Sequence, residues 1–277
     1  MILALALTFV QAAEWNVRQH IPLANITVQS HRGAGELMPE NSVVAFALAW
    51  RLGTVPEADL RTTADGVIVA FHDENLARIV PGEPERKQQG IKDLTWAEVQ
   101  KLDIGAWKGE AYKGQRVPSM AEVFAILAAH PERRLYIDIK NVDLVQLANE
   151  AKRAGVAKQL ILASTVYQVI RKWKQLAADS STLHWMGGTE KQLSDRLEEL
   201  RKTKFADITQ LQIHVRRTAS GAETFTPSPA FLRRTGEELR THKILFQVLP
   251  YDVKDPKIIW KLMDLGIASL RQITPTS

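Results

Sequence analysis

From Asn25 onward, short apolar runs alternate along the chain with longer segments of helical pattern. The candidate strands are Ile26 to Gln29, Val55 to Leu60, Leu135 to Ile139, Leu160 to Ala163, Leu183 to Met186, Ile208 to Val215, Ile244 to Leu249 and Ile267 to Leu270. The segments between them carry helix punctuation. Asn41 can cap a helix from Ser42 to Leu52 that Gly53 stops, Val142 to Ala154 ends at Gly155, and Asp255-Pro256 opens a helix that Gly266 ends. Thr95-Trp96-Ala97-Glu98 and Ser119-Met120-Ala121-Glu122 are capping boxes, in which side chains satisfy the first free amides of a helix. Strand and helix in alternation predict parallel βα units. Eight of them predict an α/β chain folded as a closed (β/α)8 TIM barrel, with an open doubly wound sheet as the alternative, because periodicity does not decide closure. One region breaks the rhythm. Val55 to Leu60 and Val67 to Phe71 face each other across Ala64-Asp65-Gly66 like a hairpin, and Pro, Gly and charge follow as far as Pro118. Residues 62–118 are therefore expected to be an insertion after the second barrel strand, within one catalytic domain spanning residues 25–277.

The N-terminus stands outside that pattern. Ile2 to Val10 is an apolar or small run, followed by small residues at Ala12 and Ala13. It reads as a signal peptide of residues 1–12, and so predicts export to a periplasmic or extracellular space. About nine residues is far short of the roughly 20 that span a bilayer, so no permanent membrane anchor is expected. The 277 residues suit a barrel of roughly 250 residues plus a leader. The absence of cysteine excludes disulfides, thiolate metal sites and cysteine nucleophiles. The net charge of +5 is dispersed: Arg133-Arg134, Arg216-Arg217 and Arg233-Arg234 lie far apart, so nucleic-acid binding is not expected.

Candidate chemistry gathers at strand ends, where the working face of such a barrel lies. His31-Arg32-Gly33 follows the first strand, and Pro39-Glu40-Asn41 leads into the next helix. Glu57 and Asp59 alternate on the second strand, so both face one side, about 7 Å apart along it, where one cation can bridge them. His72-Asp73 ends the inserted run, and Asp138 and Lys140 share a face of the third strand. Taken singly, each feature has an ordinary structural explanation: loop hydrogen bonds for the histidines, salt bridges to Arg61 or Lys140 for the acids. Their order and spacing carry the weight.

Together these residues resemble the glycerophosphodiester phosphodiesterase family. The resemblance runs through His31-Arg32-Gly33, Pro39-Glu40-Asn41-Ser42 with Ala45-Phe46, Glu57-x-Asp59, Asp65-Gly66, His72-Asp73 and Leu76-x-Arg78. It continues through Asp93-Leu94-Thr95, Val117-Pro118-Ser119 and Tyr136-Ile137-Asp138-Ile139-Lys140, and weakens after residue 140. It implies a phospholipase C-like barrel with an inserted subdomain. The implied activity is hydrolysis of a small glycerophosphodiester to glycerol 3-phosphate and an alcohol, with the glycerol 2-hydroxyl attacking first. His31 and His72 would be the acid and base, and Glu57, Asp59 and Asp138 the ligands of a divalent metal. Oxygen donors without thiolates suit Mg2+ or Ca2+. Arg32 and Lys140 would bind the phosphate, and Glu40 would orient the loop or a histidine.

Two positions depart from the family pattern. Asp138 stands where Glu is common, and Leu270-Arg271-Gln272-Ile273-Thr274-Pro275 lacks the acid of the usual Thr-Asp-x-Pro, a change expected to bear on barrel closure or the pocket floor. Further candidates are Gln212, His214 and Arg216 on strand six and Gln247 on strand seven. Gln212 and His214 are expected either to meet the alcohol or to satisfy other buried polar groups. Two alternative functions are a related phosphodiesterase acting on lysophospholipid or sphingolipid headgroups, which an apolar, aromatic mouth would favour, and a non-catalytic exported binding protein.

Overall fold

The computed structural model describes residues 27–82, 84–218, 225–251, 253 and 255–272. The leader expected at residues 1–12 lies outside them, as do Ile273 to Pro275. The elements, in chain order, are β1 (Thr27–Ser30), α1 (Val43–Arg51), β2 (Val55–Thr62), β3 (Ile68–Ala70), α2 (Trp96–Val99), α3 (Met120–Ala128), β4 (Leu135–Asn141), α4 (Leu144–Arg153), β5 (Leu160–Ser164), α5 (Tyr167–Leu176), β6 (Ser181–Met186), α6 (Glu190–Lys202), β7 (Gln210–Arg217), β8 (Phe225–Thr226), α7 (Pro229–Thr241), β9 (Leu245–Tyr251), α8 (Pro256–Met263) and β10 (Ser269–Gln272).

Among the described residues, eight parallel strands close on themselves in the order β1, β2, β4, β5, β6, β7, β9, β10, and the ring is sealed by Thr27 to Ser30 pairing with Ser269 to Gln272. All eight predicted strands are present, shifted by a residue or two. The barrel closes despite the unusual last strand, because closure needs only the backbone ladder of β10, which runs against both β1 and β9. β3 and β8 are short antiparallel additions to β2 and β7.

The two faces of the strands divide the core. Outward positions such as Ala58, Leu60, Ile137, Leu162, Ile213 and Val248 pack with Phe46, Leu147, Trp173, Leu197 and Leu239 of the helices. Inside the barrel, Tyr136 donates to Gln210, the Gln247 amide to Ser269, and the Gln212 amide to the side-chain carbonyls of Gln247 and Gln29, so the floor is a polar network. Residues 63–118, between β2 and α3, carry an apolar cluster of their own built on Phe71, Leu76, Ile91, Leu94, Val99 and Val117. The capping box at Ser119 forms in full, while at Thr95 only the Glu98 half is made, its carboxylate accepting from the Thr95 amide and hydroxyl. Asn41, however, is not a helix cap. Ser42 caps α1, accepting from the Ala45 amide, and Asn41 is drawn away to Asp59. No described helix is long and apolar enough to cross a membrane.

Candidate active site

The site is built on β2. Alternation turns Glu57 and Asp59 inward while Ala58 packs outward, and the parallel register sets Asp59 beside Asp138 of β4. One oxygen from each of Glu57, Asp59 and Asp138 falls within a group 4.8 Å across, and all three residues are buried. Two cations face them from inside the barrel. Lys140 Nζ lies 3.0 Å from Asp138 and 3.2 Å from Asp59. Arg271, in register with Gln29 across the seam, donates from Nη2 to both Glu57 oxygens at 2.7 Å.

The loop after β1 wraps over this cluster in an uncommon backbone conformation. Arg32 and Asn41 have φ of 50° and 53°, the left-handed region, which costs a non-glycine residue about 1–2 kcal/mol. The Asn41 N–H donates to the Arg32 carbonyl at 2.9 Å, and the Asn41 side chain grips Asp59 twice, donating to Oδ2 and accepting from the amide, both at 2.9 Å. Gly33, at φ 102°, lies so close to α1 that an added Cβ would sit 2.7 Å from Ala45 Cβ. The motif residues Gly33 and Ala45 are thus two halves of one contact.

The β2–β3 hairpin brings the chain back beside the carboxylates. The Phe71 amide donates to the Asp59 carbonyl, and Arg61 fixes the His72 carbonyl with two hydrogen bonds. Arg32 Nη2 lies 2.9 Å from His72 Nε2, while His72 Nδ1 lies 2.7 Å from Asp73. A guanidinium can only donate, so this network assigns the proton to Nδ1 and leaves Nε2 as an acceptor. Glu40 is gripped by Arg32 and Arg78, and Arg78 also holds Asp73. Glu40 therefore touches no histidine itself but holds the two arginines that bear on His72, Arg32 directly and Arg78 through Asp73.

Burial and charge set the protonation states. Burial pushes Glu57 up to about 7; Arg271 opposes this, and Asp59 and Asp138 add to it. Burial also raises Asp138, against Lys140. For Asp59 burial acts upward too, but Lys140, His72, the Asn41 amide and Arg32 outweigh it and hold the carboxyl below its ordinary range. Burial, then Arg271 and Arg32, keep His31 well below the usual imidazole value, so it is neutral at pH 7. The donor set fits a hard divalent cation. Ca2+ binds oxygens at about 2.3–2.6 Å, so ligands across one ion stand up to roughly 5 Å apart, matching the span of these carboxylates. Asp59 Oδ1 is buried with no hydrogen bond, its approach to Lys140 being an ion pair only.

The opposite rim is aromatic. Trp185 stacks on His214 with centroids 5.2 Å apart, His214 meets Tyr251 edge-on, and Arg216 lies over Tyr251. Trp185 Nε1 and His214 Nε2 are buried without partners. Gln212 belongs to the polar floor.

All seven predicted site residues converge on this mouth. Sequence reasoning missed the anchoring roles of Asn41, Arg61 and Arg78, and the inward placement of Arg271. Arg271 shares its face of β10 with Ser269, which the structure places on the floor network, and no local sequence signal marks that face as inward.

The fold and site define a TIM-barrel protein with an acidic, histidine-flanked mouth. The sequence model of the glycerophosphoryl diester phosphodiesterase family matches residues 31–270, and the chain belongs to that family. It is 32% identical over 157 residues to a glycerophosphodiester phosphodiesterase of Caldanaerobacter subterraneus, covering 54% of this chain and 62% of that one. It is 26% identical over 265 residues to one of Bacillus subtilis, covering 88% and 82%. An Oleispira antarctica phosphodiesterase, solved in complex with the product sn-glycerol-3-phosphate, superposes with a TM-score of 0.65 at 24% identity, over 90% of this chain and 93% of that one.

Proposed function

We propose that the chain hydrolyses glycerophosphodiesters to glycerol 3-phosphate and an alcohol, with Glu57, Asp59 and Asp138 as ligands of a divalent cation. The observation that carries this reading is the convergence, in one mouth, of three buried carboxylates, two imidazoles, Lys140 and Arg32. The names of the Caldanaerobacter and Bacillus relatives and the product bound in the Oleispira enzyme support the substrate class.

When bound, the cation would supply Lewis-acid neutralisation of a phosphate oxygen. The chain's own groups do the rest. Arg32 and Lys140 bind and orient the phosphodiester by charge-assisted hydrogen bonds. One imidazole takes the proton of the glycerol 2-hydroxyl as its oxygen bonds to phosphorus. The other gives a proton to the alcohol oxygen as the P–O bond breaks, and water then opens the cyclic phosphate with the two roles exchanged. His31, neutral at pH 7, is suited to accept first, whereas His72 Nε2 already accepts from Arg32 and is open to a substrate proton only as Arg32 turns to the phosphate. Asp73 holds the His72 ring in place.

The rim argues for a small polar alcohol over a lipid chain. Trp185 is accompanied by His214 and Arg216, Trp50 lies in α1 under Arg133 near the start of β4 and away from the mouth, and Trp107 lies beneath Arg78 and Lys108. A panel of glycerophosphocholine, glycerophosphoethanolamine, glycerophosphoinositol and lysophosphatidylcholine, read by release of the free headgroup alcohol, tests this. The three deacylated substrates should be turned over at least tenfold faster than the lysolipid. Preference for the lysolipid would shift the reading to lysophospholipids, and no turnover of any would favour a binding protein. Export is a separate proposal resting on residues 2–13, tested by fractionating expressing cells and sequencing the mature N-terminus.

A further inference from the structure

Arg271 stands at a position where no cation was expected, on the last barrel strand and facing inward. Its side chain is 11% exposed and that of Glu57 1%, so the pair is shielded from water. A single nitrogen, Nη2, donates to both Glu57 oxygens at 2.7 Å. Arg271 Nε is buried without a partner, so the guanidinium is held here by the charge of the acids more than by a full set of hydrogen bonds. Lys140 already pairs with Asp59 and Asp138, so Glu57 is the carboxylate that Arg271 neutralises. Both oxygens of Glu57 point their lone pairs at a fixed positive charge, and a second cation on that carboxylate would meet Arg271 in a region of low dielectric.

We infer that Arg271 and a divalent cation compete for Glu57, so that the carboxylate serves either as the partner of Arg271 or as a metal ligand, never both at once. The inference rests on the metal assignment proposed above. It makes Arg271 a positioning residue that sets the affinity of the site. The protein without metal has its acidic cluster charge-compensated from within, and metal binding requires the guanidinium to withdraw.

The test is a double-mutant cycle on the full-length chain, read by calorimetric titration with Ca2+ alone, with no substrate present. Arg271→Met should lower the Ca2+ Kd at least tenfold. Glu57→Gln in that background should raise it again at least tenfold, because the carboxylate would by then be a ligand. An unchanged or weaker Kd for Arg271→Met overturns the inference. If Asp59→Asn and Asp138→Asn leave the Kd of the parent unchanged, the cation sits elsewhere, and the metal assignment falls together with the inference. If the Asp variants weaken binding and Arg271→Met does not tighten it, only the inference falls. Arg271→Gln, which keeps a neutral donor, is the second variant and should also tighten binding. If neither variant folds, a crystal structure of the parent with Ca2+ decides. Glu57 on the ion with Arg271 withdrawn, or Glu57 on Arg271 and off the ion, supports competition; Glu57 contacting both overturns it.

Discussion

Asp59 is the most heavily engaged residue of the site. It is buried, paired with Lys140, 3.9 Å from Arg32 Nε and bonded twice by Asn41. Asn41 thus holds Asp59 in place and seats the preceding loop. Asn41→Ala should cost about 2–3 kcal/mol, the loss of buried hydrogen bonds to a charged group, and should lower kcat with it. Urea unfolding and glycerol 3-phosphate release measure the two effects, and a variant within 0.5 kcal/mol of the parent would show the contacts to be dispensable. A pH effect follows from a residue outside the chemistry. Burial, aided by Arg196, lowers His184 to about 4, while Nδ1 donates to the Ser164 carbonyl at 3.0 Å. The folded state therefore favours neutral imidazole. That stability is present in full above the unfolded value near 6.5 and is lost as pH falls through about 4, up to about 3 kcal/mol in all. His184→Gln should flatten the stability curve between pH 4.5 and 7, measured by urea unfolding at each pH.

At the scale of elements, the loop from β1 to α1 and the β2–β3 hairpin deliver the two histidines, each fixed by packing that a single atom can disturb. Gly33→Ala places a methyl 2.7 Å from Ala45 Cβ at a backbone angle that disfavours any side chain. It should destabilise by about 1–3 kcal/mol and lower kcat, because His31 and Arg32 precede it; thermal unfolding and turnover check both. The element pattern was readable locally: the capping box at Ser119, the glycine stops and the alternation of Glu57 with Asp59 all appear in the structure as expected. The choice between Asn41 and Ser42 as cap was not, because both side chains can cap a helix and only the distant Asp59 decides which one does. The inward face of β10 was hidden for a similar reason. It is set by pairing Arg271 with Gln29, 242 positions earlier by the same register that joins Thr27 to Ser269.

At the scale of the molecule, the barrel converts separate strand-end motifs into one site. The large cleft of about 510 Å3 between α7, β9 and β10, lined by Arg233, Arg240, Lys243 and Leu265, borders the starts of those strands and so lies at the far end from the carboxylates. Closure by β10 brings Arg271 among the acids, and no local pattern could show that pairing. The central claim is metal-assisted cleavage by residues of this one mouth. Its most direct test is turnover of glycerophosphocholine by protein stripped with EDTA and then given millimolar Ca2+ or Mg2+, alongside His31→Ala and His72→Ala. Chelation should abolish release of glycerol 3-phosphate and readdition should restore it, while both alanine variants stay at least 100-fold slower at any metal concentration. Turnover that survives chelation, or histidine variants within threefold of the parent, would contradict the claim.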